Sequence, residues 1–551
     1  MRGERRRLGS VALAMAVLAV ACGGGSDGGD SASPTTAGDA AAQARQGGIF
    51  RQPINEPAFI DPYNGQEGNG NRVIKRLFVG LTTFDGNPDL VMKPGVAETW
   101  SSDATCAQWT FNLRRSTFSN GEEVTAESFI RGWTRAADGR AISRVAGHLS
   151  GIQGYPELHG APDSPPTATT FAGLSAPDPQ TLSVKLGAPD CEFDKKTVHS
   201  VMSPVPSVAG AFDNKEFNEA PVGNGPFMIK PGTKWEHDRG ISLVRSDTYF
   251  GAKPNLDGIE FVILPSQAPP AAQYSAFEAG DLDVATPPVG LRAAAEAKYG
   301  PTGGFLSRLP YATGFIGVNV SGATLGDPNA RRALSLALDR DALSKAVAEG
   351  YWQPASALIP PPFGSYHQAG VCDACRFDPV KAKELGTSAG LSSDTHLRFL
   401  VSSASNPVLV AYKDQIEKNL GVAVDLEALP LAEALARQAA GEYELIALSW
   451  GADYPTTDNF LFPLLGQGSA ENAGKYANTE FNDLVRQARA QRDDGERRTL
   501  LKRAEQIAIG QDLALVPTFY VPNQVVFDAD KWTGVDLDFF GHLTFQTISL
   551  K

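Results

Sequence analysis

The sequence predicts an α/β protein, on two observations. Between residues 397 and 450 short apolar runs alternate with helical segments, and the 551-residue chain, 42% hydrophobic and 20% charged, can bury the cores of two or three domains. Within the alternation, 397–401 reads as an apolar strand, 407–419 as a helix and 422–426 as a second strand. A helix over 431–440 closed by Gly441 and a third strand over 443–448 complete it. A β-α-β-α-β order calls for a mostly parallel sheet covered on both faces, with ligands received beyond the carboxyl ends of its strands. Trp450, Gly451, Ala452, Asp453, Tyr454 and Pro455 follow the third strand directly and are the first place to look for a site.

Charge narrows the function. The chain has 62 acidic and 49 basic residues, a net charge of −13. Nucleic acids and anionic membrane surfaces are bound by positive potential, so neither is an expected partner. Near the start, Arg2, Arg5, Arg6 and Arg7 precede an apolar run over 8–21 that is too short to span a bilayer, so residues 1–21 read as a signal peptide. Leu18, Ala19, Val20 and Ala21 before Cys22 resemble a bacterial lipobox, although Ala19 stands where that pattern usually has Leu. The resemblance makes Cys22 the lipidated residue of a protein anchored to the outer face of the cytoplasmic membrane; the alternative is an ordinary signal peptide with a chance cysteine. Arg6-Arg7 leaves the choice between general and twin-arginine export open. Residues 23–47 hold Gly, Ser, Ala, Asp and Thr with almost no large apolar group, and are predicted to be a flexible tether.

From Gly48 onward the elements can be read in order. Trp109, Phe111 and Leu113 alternate with polar residues as a half-buried strand does, and Asn120-Gly121 marks a turn. Thr125 can cap a helix whose apolar face is Phe129, Ile130 and Trp133. Residues 160–175 read as loop, followed by a strand through Leu182, Val184 and Leu186. Strands are expected over 241–244 and 259–264, around a loop over 251–254. Asp327 and Pro328 are an N-cap and a first-turn proline, and Asp339 or Asp341 begins a second helix ending near Gly350. With Cys22 assigned to lipid, Cys106, Cys191, Cys372 and Cys375 form an even set and read as disulfides. Of the three possible pairings, 106–191 with 372–375 is favoured, because Cys106 and Cys191 lie just outside two strands that could be neighbours. A redox dithiol or half a zinc site at 372–375 is the alternative, with no second C-x-x-C to support it.

Several stretches share an order and spacing with one known family. They are Glu56-Pro57 with Asp61-Pro62; the run from Trp109 to Arg114 with Phe118, Gly121 and Thr125-Ala126-Glu127; and Gly223-Asn224-Gly225-Pro226-Phe227. Asn255-Leu256-Asp257-Gly258-Ile259, Gly280-Asp281-Leu282-Asp283, Arg332-Ala333-Leu334 and Ala337-Leu338-Asp339-Arg340 follow. Through them the chain resembles, from Gly48 to its end, the extracytoplasmic solute-binding proteins of the peptide and nickel importers (bacterial family 5), and most closely their oligopeptide-binding lipoproteins. The resemblance implies a two-lobed periplasmic-binding-protein-like fold of class II, cluster C type, with an extra domain inserted in the first lobe. Lobe I would hold 48–80, 205–313 and 515–551, the inserted domain 81–204, and lobe II 314–514. Gly314–Asn319 and Val516–Tyr520 would be the strands crossing between lobes, and the ligand would be enclosed when the lobes close.

The family also assigns a site. In peptide-binding relatives the aspartate of a Trp-x-x-Asp segment pairs with the peptide's α-ammonium, which places Asp453 after Trp450 in that role; a cation leaving water needs such a carboxylate. The competing reading is a loop aspartate capping its own backbone. Trp450, Gly451 and Tyr454 are expected around the ligand, and the segments of Glu56 and of Asn224 with Gly223 and Gly225 are candidates for backbone partners to an extended peptide. Asp458 and Asn459 are expected to fix the following loop and helix start. The implied partners are short peptides and the permease subunits of an ABC transporter, with the chain acting as a monomer and without a cofactor.

Catalysis is not expected: there is no Walker A sequence and no His-Glu-x-x-His. The seven histidines are scattered, none at ligand spacing, so no dedicated metal site is predicted. Glu236-His237-Asp238 reads as a polar turn. Haem, a metal chelate or an oligosaccharide in the same fold, or a peptide-sensing signalling lipoprotein, are the competing functions.

Overall fold

The computed structural model describes residues 45–551 apart from 66, 85–91, 162–163, 266–269, 402–405 and 470. The signal peptide, Cys22 and the tether up to residue 44 lie outside the described residues. The expected tether is too long at its end: Arg45 N donates to Leu550 O at 2.9 Å and Gly47 N to Asn255 O at 2.8 Å, so 45–47 already belong to the folded body.

Three large apolar cores organise that body. The first gathers Phe50, Ile54, Val73, Leu77, Phe227, Ile241, Phe261, Phe527, Trp532 and Phe545. Its sheet pairs Ile49–Ile54 in parallel with Gly258–Ile263, followed by Gly240–Arg245 and Phe227–Ile229 in antiparallel order. The second lies between residues 63 and 202, over a sheet ordered Ala97–Ser102, Gln108–Leu113, Thr181–Lys185, Leu174–Asp178. Against it packs the helix Ala126–Ala137, which starts in a Thr125–Ser128 capping box and buries Phe129, Trp133, Ala136 and Ala137, one face of a 3.6-residue period. Arg135 leaves that helix to meet Asp61 through two bonds, of 3.1 and 2.8 Å, in a fully buried pair. The third core runs from Tyr311 to Phe519.

In the third core the expected β-α-β-α-β unit is present. His396–Val401 pairs in parallel with Ala423–Ala428 and with Leu445–Gly451. Its helices, Pro407–Leu420 and Leu431–Ala440, both end at a left-handed glycine, Gly421 (φ +74°) and Gly441 (φ +76°). The sheet as a whole is not mostly parallel, however. Leu445–Gly451 also pairs antiparallel with Ala312–Val318, which pairs antiparallel with Leu515–Tyr520, and that in turn with Gln353–Pro354. The two crossing strands extend the parallel unit and make a mixed six-stranded sheet. Leu515–Tyr520 therefore sits with the third core, and the C-terminal return to the first core begins beyond it, where Asn523–Phe527 pairs with Phe305–Arg308 and Val284–Ala285.

Family-motif residues turn out to be structural. Asp327 caps the helix Pro328–Leu336, and Asp339 caps Arg340–Ala348. Arg340 is buried and donates to Pro517 O, Ser335 O and Cys375 O, tying the return strand to the helix pair; burial lowers its pKa to about 10. Cys106 and Cys191 are bridged across a Cα separation of 5.0 Å, and Cys372 and Cys375 across 5.3 Å. The first bridge joins the ends of the second core's strands, 85 residues apart, and in the loop-entropy view it stabilises more than the second, whose separation is 3.

Glu505, 1% exposed, carries a pH-dependent load. Leu358 N and Ile359 N donate to its Oε1 at 2.9 Å each, yet burial outweighs them and raises its pKa to about 7. A raised acid pKa means that the folded protein holds the proton while the unfolded chain has released it, so stability falls as pH rises from about 4.5 to 7 and then levels. Relative to wild type, Glu505→Gln should gain stability over that window by up to roughly 3 kcal/mol. Denaturant melts of both proteins at pH 5 and 8 read this directly; a gap that does not change with pH contradicts it.

Candidate functional site

Leu445–Gly451 pairs along its whole length with Ala312–Val318, which fixes its carboxyl end, while His396–Val401 holds only its first two residues. There Ala312 lies opposite Gly451 and Thr313 opposite Trp450, and Ala452 N donates to Tyr311 O at 2.8 Å. Asn459, in the first turn of the helix Asp458–Leu465, then clamps Asp453 at both ends. Its Oδ1 accepts Asp453 N at 2.8 Å and its Nδ2 donates to Asp453 Oδ2 at 3.2 Å. Asp453 Oδ1 has no hydrogen-bond partner among the described residues, on a side chain 29% exposed. The result is an oriented carboxylate with one oxygen open, suited to accept from a cation.

The surroundings come from the other end of the chain. His148 Nε2 stands 3.8 Å from Asp453 Oδ2, and the His148 ring stacks on His199 with centroids 4.1 Å apart. His199 is buried, its pKa well below the usual value through burial and then through the neighbouring His148 and Lys75. Sequence reasoning missed both histidines, as neither belongs to a motif; His148 lies in the short 3-10 helix Ala146–Leu149 and His199 just before another, both far from Asp453 in the chain.

His148, His199 and Asp453 place candidate metal-ligand atoms within 4.8 Å of one another. Two features of the donor set weigh against an ion. His199 Nδ1 accepts the backbone N–H of Val201 at 3.1 Å, so its Nε2 carries the proton of the neutral ring and has no lone pair to offer. The rings are stacked 31° from parallel, which sets their in-plane lone pairs side by side and not toward a common point.

The other expected site residues divide. Trp450 is half-buried and its Nε1 is a buried donor without an acceptor among the described residues; Gly451 is exposed beside it. Tyr454 is buried, with Lys196 Nζ 5.6 Å from its ring centre and the His148 ring against it, so it packs behind the site and is not an open wall. Asn224 must be corrected. It is 2% exposed, and its amide is used up on Val79, accepting from N and donating to O at 3.0 Å each. The adjacent glycines serve the same seam, since a Cβ on Gly223 or Gly225 would collide with the backbone at Leu77. Glu56 is likewise engaged, its carboxylate meeting His237 Nδ1 at 2.6 Å and Asp238 N at 3.0 Å; this is the polar turn expected at 236–238. Asp458 does fix the helix start, through Arg489 and Lys196.

Two strings fit the Gly-x-Ser-x-Gly of a nucleophile elbow, 24–28, which lies outside the described residues, and Gly386-Thr387-Ser388-Ala389-Gly390. The second can be placed. It closes the helix Pro379–Ser388, with Ser388 Oγ donating to Leu385 O, and so lacks the strand-to-helix turn that exposes a catalytic serine.

The profile of the bacterial extracellular solute-binding proteins, family 5 Middle, matches residues 91–472. The chain belongs to this family. It is therefore a binding protein and not an enzyme. This solute-binding protein is 28% identical over 485 residues to the probable deoxycholate-binding periplasmic protein YgiS of Escherichia coli K12, covering 85% of this chain and 87% of the relative. It is 27% identical over 514 residues to the oligopeptide-binding protein OppA of Bacillus subtilis 168, covering 90% and 91%. Its fold matches that of the Escherichia coli murein tripeptide binding protein MppA with a TM-score of 0.76, at 23% identity and over 92% of this chain and 98% of the other. The α/β two-lobed periplasmic-binding-protein fold is thus shared by this family 5 member.

Proposed function

We propose that this protein captures short peptides with a free amino terminus between its two lobes and delivers them to an ABC-transporter permease. The observation that carries the reading is Asp453, clamped by Asn459 with Oδ1 open at the end of a strand. An ammonium withdrawn from water is stable there only against such a carboxylate. The names of relatives that bind oligopeptides or a murein tripeptide support it. In this reading Trp450 Nε1 and the exposed Gly451 face the ligand, whose main chain bonds as an added strand while its side chains enter roomier space. Native mass spectrometry of the protein as purified tests this: bound masses should resolve as peptides with free amino termini, and a sterol, sugar or metal chelate in their place overturns it.

The division into lobe I (48–80, 205–313 and a C-terminal part), an inserted domain (81–204) and lobe II is part of the proposal, supported by the three separate cores. So is anchoring through Cys22. Cys22→Ser should appear in the medium or remain unprocessed, and a mature Cys22→Ser protein that still partitions with membranes contradicts the anchor.

A further inference from the structure

We propose that Lys75 is a second ligand anchor, holding a carboxylate of the bound molecule across the site from Asp453. The inference rests on the peptide reading and adds to it that the ligand is zwitterionic.

Lys75 lies in the last turn of the helix Gly68–Leu77. Its Nζ sits 4.9 Å from the centre of the Phe540 ring. Among the described residues it has no carboxylate within ion-pair distance and no hydrogen-bond acceptor. Asp538, the acid that acts on it most strongly, is turned elsewhere: Oδ1 accepts Phe540 N at 2.9 Å and His542 N at 2.8 Å, and Oδ2 lies 3.8 Å from His542 Nδ1. Arg135, by contrast, is paired with Asp61, and Arg340 donates to carbonyls.

A continuous wall joins Lys75 to Asp453. Phe540 meets the edge of Tyr311 with centroids 5.7 Å apart, and Tyr311 O accepts from Ala452 N, the residue before Asp453. Tyr311 also stacks on Phe363 at 4.0 Å and on Phe539 at 5.0 Å, which makes the wall aromatic. Burial lowers the Lys75 pKa; Asp538 acts against that, Arg76 adds to it, and Asp453 acts against it more weakly. An unpaired cation in low dielectric is compensated when an anion arrives. The ligand carboxylate has two sources, the peptide C-terminus and an acidic side chain.

Calorimetry with di-, tri- and tetra-alanine as free acids and as C-terminal amides, together with Ala-Ala-Glu amide, separates them. For a C-terminal source, amidation of the best binder should weaken wild type roughly 10–100-fold, the scale of a charge-assisted bond. Lys75→Met should bind acid and amide within about threefold of each other, and Lys75→Arg should restore the discrimination. For a side-chain source, amidation is neutral and the Glu peptide gains affinity in wild type alone. If wild type and Lys75→Met treat all these peptides alike while N-acetylation still abolishes binding, the inference fails and the peptide reading stands. If no free-acid peptide binds wild type, both fail.

Discussion

Asp453→Ala is expected to weaken binding of a free peptide by roughly two to three orders of magnitude. Removing one partner of a buried ion pair costs about 3–5 kcal/mol, and about 1.4 kcal/mol is a decade of affinity. The fold should survive, because the Asp453 side chain is 29% exposed and belongs to none of the apolar cores. Its stability should drop only by about 1–3 kcal/mol, since the fully buried Asn459 loses the acceptor for its Nδ2. N-acetylating the peptide should cost nothing further in the variant, as both changes delete the same pair. A variant with unchanged affinity and a lowered melting temperature would make Asp453 a loop cap and nothing more.

Asp458→Ala is expected to have the largest effect on the junction between the second and third cores. Asp458 is buried, with Arg489 Nε 2.9 Å from Oδ1 and Nη2 2.8 Å from Oδ2, while Lys196 Nζ reaches Oδ2 at 3.5 Å from the second core. Burial pushes the Asp458 carboxyl up, but Arg489 and Lys196 outweigh it and hold it below its usual pKa. Around this centre Cys191 N donates to Arg489 O at 2.7 Å, Arg497 Nε lies 3.4 Å from Glu192 Oε1, and Arg492 Nη2 donates to Ser102 Oγ at 2.9 Å. The Cys106–Cys191 bridge ties together the two loops that make these contacts. Deleting the acid strands Arg489, while Lys196 keeps Asp190 at 2.5 Å, a loss of about 3–5 kcal/mol. Lys196→Met should cost less, because Asp458 keeps its bonds to Arg489. If the seam holds the lobes together, Asp458→Ala lowers ligand affinity as well as melting temperature. A fall in melting temperature with affinity intact places the network's role in the fold alone.

Local order was legible in the sequence where the signal was local. The alternation over 397–450, the proline-led helix after Asp327 and the Thr125 cap all rest on neighbours within a few residues, and each is present in the structure. The mixed character of the large sheet was not legible, since Ala312–Val318 joins Leu445–Gly451 across more than a hundred residues and no period announces the pairing. The site divided the same way. Asp453 could be proposed from a strand end and a family segment, whereas His148, with His199 behind it, reaches it from the first half of the chain by tertiary packing alone. Asn224 was a candidate because its flanking glycines permit close approach, and the approach they permit is to the distant Leu77–Val79 segment, where its amide is bonded to Val79.

The central claim is that a ligand's free amino group is what Asp453 holds. Calorimetry on the wild-type protein with one peptide, tri-alanine or the best binder of the alanine series, and its N-acetyl form tests this most directly. Acetylation removes the ammonium and leaves the rest of the peptide in place, so affinity should fall by roughly two to three orders of magnitude. Equal affinity for the free and acetylated peptides would contradict the account.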